Sequence, residues 1–298
     1  DEHIQSEKLA MIGEYLSYYG AYHTALLKEK YVSHYKTLNE YSYKLYQSKE
    51  KSELDYKHAN IQYKFQEGSA FKDTLALKEV KEALQSKLGD VTLDEVPDIS
   101  HLIQRVILAD IKFDFENNLK LKSLQEGIHV SRIQGHIAKK ESRTSLSLGF
   151  ATSTQGLAGN WDDLQSQLGK EYYNVTSLTF KRSIGDQSFR FNKQIYQSKT
   201  EILVSDKDDY LRQLTHLVKV EQEQLSHYKV YYEQLKDIVK DSQDIMKKMT
   251  EMYKQNLVTF VELESYYATN YELELEKIRV ERELVRCYLT LKLYNGDL

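Results

Sequence analysis

Thr144-Ser-Leu-Ser-Leu-Gly-Phe150 is the stretch on which the reading of this chain turns. Leu146, Leu148 and Phe150 fall on one side, and Ser145, Ser147 and Gly149 on the other. That period of two belongs to a β-strand with one apolar face. Residues 153–170 follow with Gly156, Gly159, Asn160 and Gly169 and read as a loop. Tyr172 to Phe180 reads as a second strand, rich in β-branched and aromatic residues, with Leu178 and Phe180 on its apolar face. Ser183-Ile-Gly-Asp186 ends it.

Outward from this pair the period changes to that of a helix. Upstream, Leu9, Ile12, Leu16, Tyr19, Tyr22 and Leu26, then Leu38, Tyr41 and Leu45, recur at helical spacing. This pattern predicts one helix over residues 1–66, about 100 Å long at about 1.5 Å per residue. A helix of that length needs partners along its flank, as in a coiled coil. Glu67-Gly68-Ser69 reads as its stop, and a second helix over 70–88 ends at Leu88-Gly89-Asp90. A connector with Pro97 leads to a short helix capped by Asp98-Ile99-Ser100, and residues 110–141 are helical again. Downstream, residues 187–255 read as one long helix. Asn256, Leu257, Val258 and Thr259 form a tight turn, and residues 260–294 form the last helix.

Composition supports long elements. The 298 residues contain one proline and 12 glycines, where average usage gives roughly 15 and 20. So few breakers cannot punctuate many short elements. The net charge of −4 gives no basic face for nucleic acid. Hydrophobic residues at 41% suffice for a buried seam, and the 24 tyrosines suit partly wet helix interfaces. The single cysteine, Cys287, excludes an intrachain disulfide and a cysteine-based metal cluster. Glu126-x-x-His129 has the spacing of one di-iron ligand pair, but only one such pair occurs. No Ser-His-Asp arrangement or P-loop is visible, so no enzyme and no cofactor is expected. No run of 18 apolar residues is present, which excludes a transmembrane helix. The chain begins with Asp1 and shows no signal peptide, which fits a mature or truncated secreted protein.

The order of elements repeats: long helix, turn, returning helix, Gly-Asp stop. Aligning the Glu67-Gly68 stop with Asn256 pairs Asp73 with Glu262, each six positions past its turn. Duplication is the simplest account. In that alignment the first returning segment, Glu67 to Gly89, is little more than half as long as the second, Asn256 to Gly296. The fold class is thus mainly α, with long antiparallel coiled-coil helices in a duplicated hairpin and one antiparallel strand pair. The expected divisions are 1–109 and 186–298 for the two hairpins, 110–143 for the helix leading to the strands, and 144–185 for the strand pair.

Tyr253-Lys-Gln-Asn-Leu-Val-Thr-Phe-Val-Glu-Leu-Glu-Ser265, continued through Glu272-Leu-Glu-Leu-Glu-Lys-Ile to Leu293-Tyr-Asn-Gly296, resembles the turn and last helix of the TolC-like outer membrane efflux family. Leu88-Gly89, Ile99 to Arg105, Ser145 to Leu148 and Ser177 to Phe180 fit that family in order. The resemblance implies an export tunnel for tripartite efflux or type I secretion, in which three protomers close one barrel in the outer membrane. Long helices cross the periplasm to a narrow tip that meets a periplasmic adaptor and an inner-membrane transporter. It places the tip at Gly68-Ser69 and at Asn256 to Thr259, and pore-narrowing acids at Asp73 and Glu262. Leu146, Leu148, Phe150, Leu178 and Phe180 are the face expected against outer-membrane lipid. The basic residue that the family carries two positions after its turn glycine is Val258 here, and its second acid is Ser265. One strand pair per chain is also fewer than a three-chain barrel needs. A chain lacking the first pair, a larger ring of half-sized subunits, and a non-conducting periplasmic scaffold all remain open readings. The third is the alternative function.

Overall fold

The computed structural model describes residues 2–89, 97–109, 113, 115–141, 145–154, 172–181 and 188–297. Over these residues the helices are α1 (Glu2–Gln47), α2 (Glu53–Leu88), α3 (Ser100–Leu108), α4 (Leu119–Glu141), α5 (Ser188–Lys254) and α6 (Phe260–Asn295). A 3-10 turn spans Phe115–Asn117, and the strands are β1 (Ser145–Thr154) and β2 (Tyr172–Lys181). Residues 90–96 of the connector, 155–170 of the loop and the Ser183–Asp186 stop lie outside the described residues. Contacts divide the chain into two units, Asp1–Lys120 with Leu211–Leu298, and Leu121–Tyr210.

In the first unit α1 runs antiparallel to two helices. Against α2, the rings of Tyr46 and Tyr56 stack with centroids 5.7 Å apart, Lys28 Nζ donates to Gln66 Oε1 at 2.7 Å, and Lys87 pairs with Glu14. Against α6, Tyr19 OH donates to Glu281 Oε2 at 2.9 Å, and the Tyr35 and Tyr267 rings meet at 5.7 Å. On its other side α6 meets the second part of α5. There Gln243 Nε2 donates to Glu274 Oε1 at 3.1 Å and Arg286 Nη1 to Glu221 Oε1 at 3.2 Å. The packing order is α2, α1, α6, α5. One core cluster, around Tyr31, Leu38, Tyr253, Phe260 and Leu263, joins both hairpins near their turns. Another, around Leu16, Tyr19, Ile103 and Val285, lies beside α3. Tyrosine reaches across these interfaces with an apolar ring, and Tyr19, Tyr41 and Tyr232 keep their hydroxyls on polar partners, which suits the residue to such seams. Cys287 is a packing residue of α6, and burial pushes its thiol up to about 12.

The first hairpin turns earlier than its sequence implies. The predicted helix over 1–66 breaks after Gln47, and Gly68 and Ser69 lie inside α2. The chain reverses through Ser48–Ser52, with Lys49 in the left-handed region at φ 63°. Glycine inside a helix costs only about 1 kcal/mol relative to alanine, so a lone Gly68 does not end one. The turn itself contains neither glycine nor proline and resembles a charged helix surface.

This correction changes the repeat. Lys49 and Asn256 both have positive φ, at 63° and 61°, and it is this pair that sets the interval between the halves. Lys49 N–H donates to Tyr46 O and Glu50 N–H to Leu45 O. Asn256 N–H donates to Tyr253 O and Leu257 N–H to Met252 O. The two turns share these two closing bonds, as paired Schellman closures. Gly89 and Gly296, separated by the same interval, end returning helices of 36 residues each. The expected shortening of the first returning helix is therefore absent.

Gly296 closes α6 in the left-handed conformation at φ 80°, and a Cβ there would collide with the Asn117 carbonyl. Asn118 Nδ2 anchors the same corner through Tyr294 O at 2.9 Å. Gly296→Ala is expected to destabilise the chain by about 2 kcal/mol or more, from the backbone strain together with that clash. Thermal unfolding measures it. Gly89→Ala, also at positive φ but with open space around it, should cost less.

Candidate functional site

Two regions carry the features that sequence reading tied to function: the paired turns of the first unit and the strand pair of the second. At the second turn, Thr259 caps α6. Its Oγ1 accepts from Glu262 N–H at 3.2 Å, while Glu262 Oε2 accepts from Thr259 N–H at 2.8 Å. This is a complete capping box. The hydrogen bonds from Thr259, backbone then side chain, hold the Glu262 carboxyl below its ordinary 4.5. At the first turn Ser52 plays the same part. Its Oγ accepts from Asp55 N–H at 3.1 Å and donates to Asp55 Oδ2 at 2.8 Å.

The partner of Glu262 in the repeat is therefore Asp55, which stands six positions past Lys49 as Glu262 stands six past Asn256. Asp73 does not sit beside a turn. It lies in the interior of α2 and lines a cleft with Gly20, Thr24 and Arg282. The legible signal was Tyr46-x-x-Lys49-x-x-Ser52-x-x-Asp55, which parallels Tyr253-x-x-Asn256-x-x-Thr259-x-x-Glu262. A hydroxyl residue followed three positions later by an acid marks a helix start even where glycine is missing.

The turns are bonded to each other. Lys51 Nζ donates to Val258 O at 3.2 Å and lies 5.1 Å from the centroid of the Tyr253 ring. Asn256 Nδ2 donates to Glu50 Oε2 at 3.3 Å, and Tyr41 OH to Lys254 O at 2.9 Å. Lys51 stands two positions after Lys49, at the repeat equivalent of Val258. The basic residue missing after Asn256 is thus present in the first half, and it reaches across to the second. Tyr253 is fully buried beneath the turn, and burial raises its hydroxyl pKa.

Thr259→Ala removes one half of the capping box. It is expected to cost about 1 kcal/mol, read as a lowered unfolding midpoint. Glu262→Gln tests the other half through pH. A carboxyl held below its unfolded value stabilises the fold above that value, and the contribution disappears as pH falls through the folded one. The gap between wild type and Glu262→Gln should therefore be full at neutral pH and close below about pH 4.

In the second unit β1 and β2 pair antiparallel, with Leu146 opposite Phe180, Leu148 opposite Leu178 and Phe150 opposite Thr176. Directly opposed residues share a face. The intervening pairs, Ser147 with Thr179 and Gly149 with Ser177, form the polar face. Leu148, Phe150, Leu178 and Phe180 are 58–76% exposed. Each strand has 10 residues, the length of a tilted strand spanning a bilayer, about 9–11. Both edges of this two-stranded sheet carry backbone groups with no ladder partner among the described residues.

No protein-family model matches the chain, and no curated protein sequence is similar to it. Solved structures do match. The outer-membrane channel OprN superimposes with a TM-score of 0.71 at 13% identity, over 99% of this chain and 66% of that one. CusC, whose structures describe folding and transmembrane channel formation, gives 0.75 at 12% identity, over 98% and 68%. The Campylobacter jejuni CmeC outer membrane channel gives 0.69 at 11% identity, over 98% and 64%. The chain thus spans about two thirds of the length of these channels. With its duplicated helical hairpin and an amphipathic strand pair ahead of the second half, this chain shares the fold of these outer-membrane channels. It is the TolC-like fold, as the sequence resemblance implied.

Proposed function

We propose that this chain is a subunit of an outer-membrane channel that exports molecules across the periplasm, in a tripartite efflux or type I secretion assembly. The carrying observation is the exposed, in-register apolar face of the strand pair on a chain with this fold. Two strands with open edges satisfy their backbone in a bilayer only by joining a closed barrel. The strand pair lies in the outer membrane and the helical hairpins in the periplasm. The turns at Lys49 and Asn256 form the tip that meets an adaptor and an inner-membrane transporter. Asp55 and Glu262 are the acids placed to ring its opening, a charge arrangement that favours cations over anions.

Homo-oligomerisation follows from the repeat. Tyr31, Leu38 and Leu45 of α1 are only 2%, 3% and 6% exposed. Their equivalents in the second half, Ile238, Ile245 and Met252 of α5, are 47%, 45% and 37% exposed. At the other end of the packing order, α2 exposes Leu54, Ile61, Phe65 and Phe71. The first line packs within the chain because α1 sits between α2 and α6. The second is covered when α2 of another copy packs on α5 as α6 packs on α1. Such a head-to-tail contact gives a ring when its rotation closes, and the resemblance to the TolC-like family leads us to expect a trimer.

The scaffold alternative drew on the single strand pair and on the shortened returning helix, and the corrected repeat removes the second of these grounds. Conductance across a planar bilayer is the test. Stepwise, sustained currents from the detergent-extracted protein are expected, and an assembled ring that carries no current would establish the scaffold instead.

A further inference from the structure

Between α4 and the first part of α5, within the second unit, lies a cavity of about 430 Å³. That is within the range of small-molecule sites. Arg132, His136 and Lys139 line it from one face of α4, spaced by four and three residues. Lys193, Tyr196 and Glu201 line it from α5. Its floor is built rather than accidental. Ser131, 1% exposed, donates from Oγ to Tyr196 O at 3.2 Å and accepts from Thr200 Oγ1 at 3.0 Å. The helices are in contact there, since a Cβ built on Gly135 would meet Tyr196 Cβ at an ordinary packing distance of 3.5 Å.

Arg132, Lys139 and Lys193 share the lining with one carboxylate, Glu201, and among the described residues neither Arg132 nor Lys193 forms an ion pair. Lys139 precedes Ser145, the first residue of β1, by six positions. The apolar pairs of the hairpin, Leu146 with Phe180 and Leu148 with Leu178, lie at this same end, and the polar pair Thr152 with Asn174 lies farther out. Along the chain, the cationic cavity therefore lies a few residues from the end of the hairpin where its apolar face begins.

We infer that this cavity binds the phosphodiester headgroup of an anionic membrane lipid, an inference that rests on the membrane reading of the hairpin. Guanidinium and ammonium groups suit phosphate oxygens, and their long stems extend along apolar surface toward the headgroup layer. A soluble phosphodiester offers the same chemistry, but it has no reason to be served at the foot of an apolar strand face.

Native mass spectrometry of the detergent-extracted protein tests this with phosphatidylglycerol, phosphatidylcholine and soluble glycerophosphoglycerol as probes. Wild type should retain phosphatidylglycerol over phosphatidylcholine by about thirtyfold, the scale of two basic side chains at a membrane surface. Arg132→Gln with Lys193→Gln should abolish the preference while the unfolding midpoint stays in place. A preference that survives in the double variant overturns the site, and so does glycerophosphoglycerol binding as strongly as the lipid. Retention of both lipids without preference overturns the site and leaves the membrane reading standing. A protein that remains dispersed without detergent and retains neither lipid overturns both.

Discussion

Replacing Ile238 and Ile245 together with lysine is expected to dissociate the assembly into folded protomers. Both side chains are nearly half exposed in the single chain, so the protomer loses little when they change, and lysine is a good helix former. In the proposed ring the same positions would lie under the outward face of a neighbouring α2. Burying the exposed half of each isoleucine contributes about 0.7–1.5 kcal/mol there, and a lysine in its place must be stripped of water without a partner. The loss recurs at every interface, so a closed ring has no intact seam left to hold it. The same substitution at Leu38, the equivalent of Ile245 but 3% exposed, should unfold the protomer instead. Light scattering on the size-fractionated protein, with circular dichroism on each fraction, separates the outcomes. A double variant that keeps the wild-type mass would remove α5 from the interface.

The contrast between Leu38 and Ile245 also shows what was legible in the sequence. Both carry the same helical periodicity, so both read as seam positions. Which one finds a partner inside the chain depends on packing order, and that order is not written in any local pattern. The strand pair was legible because alternation over Ser145 to Phe150 has no helical interpretation. Its continuation to Thr154 was not, since Ala151 to Thr154 carries no apolar alternation and is held in the ladder only by its partners Val175 to Tyr172. The second turn was legible from Asn256, a residue that tolerates positive φ. The first turn was missed because Lys49 adopts the same conformation without being a residue that favours it, while Gly68 offered a more conspicuous but false break. Asp73 then took the place of Asp55 by counting from that false break. The capping pattern at Ser52 and Asp55 would have corrected the alignment, because a helix start leaves four N–H groups to satisfy and the sequence supplies a hydroxyl and an acid at the required spacing.

The strand pair carries the second large effect. Leu148→Arg with Leu178→Arg is expected to abolish membrane insertion while leaving the helical unit folded. The two residues lie opposite each other in the ladder, so both charges fall on one spot of the apolar face. An arginine at the middle of a barrel's lipid face costs about 2–4 kcal/mol, and the two would also repel each other across the strands. Every subunit of a ring contributes the same pair, so the penalty multiplies around the barrel. The polar face supplies the control. Ser147→Arg with Thr179→Arg places the same two charges on directly opposed positions of the other face, where a barrel interior accepts them. Flotation with liposomes separates the faces, with the first variant remaining in the soluble or aggregated fraction and the second floating as wild type does. Thermal unfolding in detergent should show the helical transition unchanged in both, because none of these four residues belongs to the first unit. Equal flotation of the two variants would mean that the apolar face of the strand pair does not meet lipid, and the channel reading would then lose the observation on which it stands.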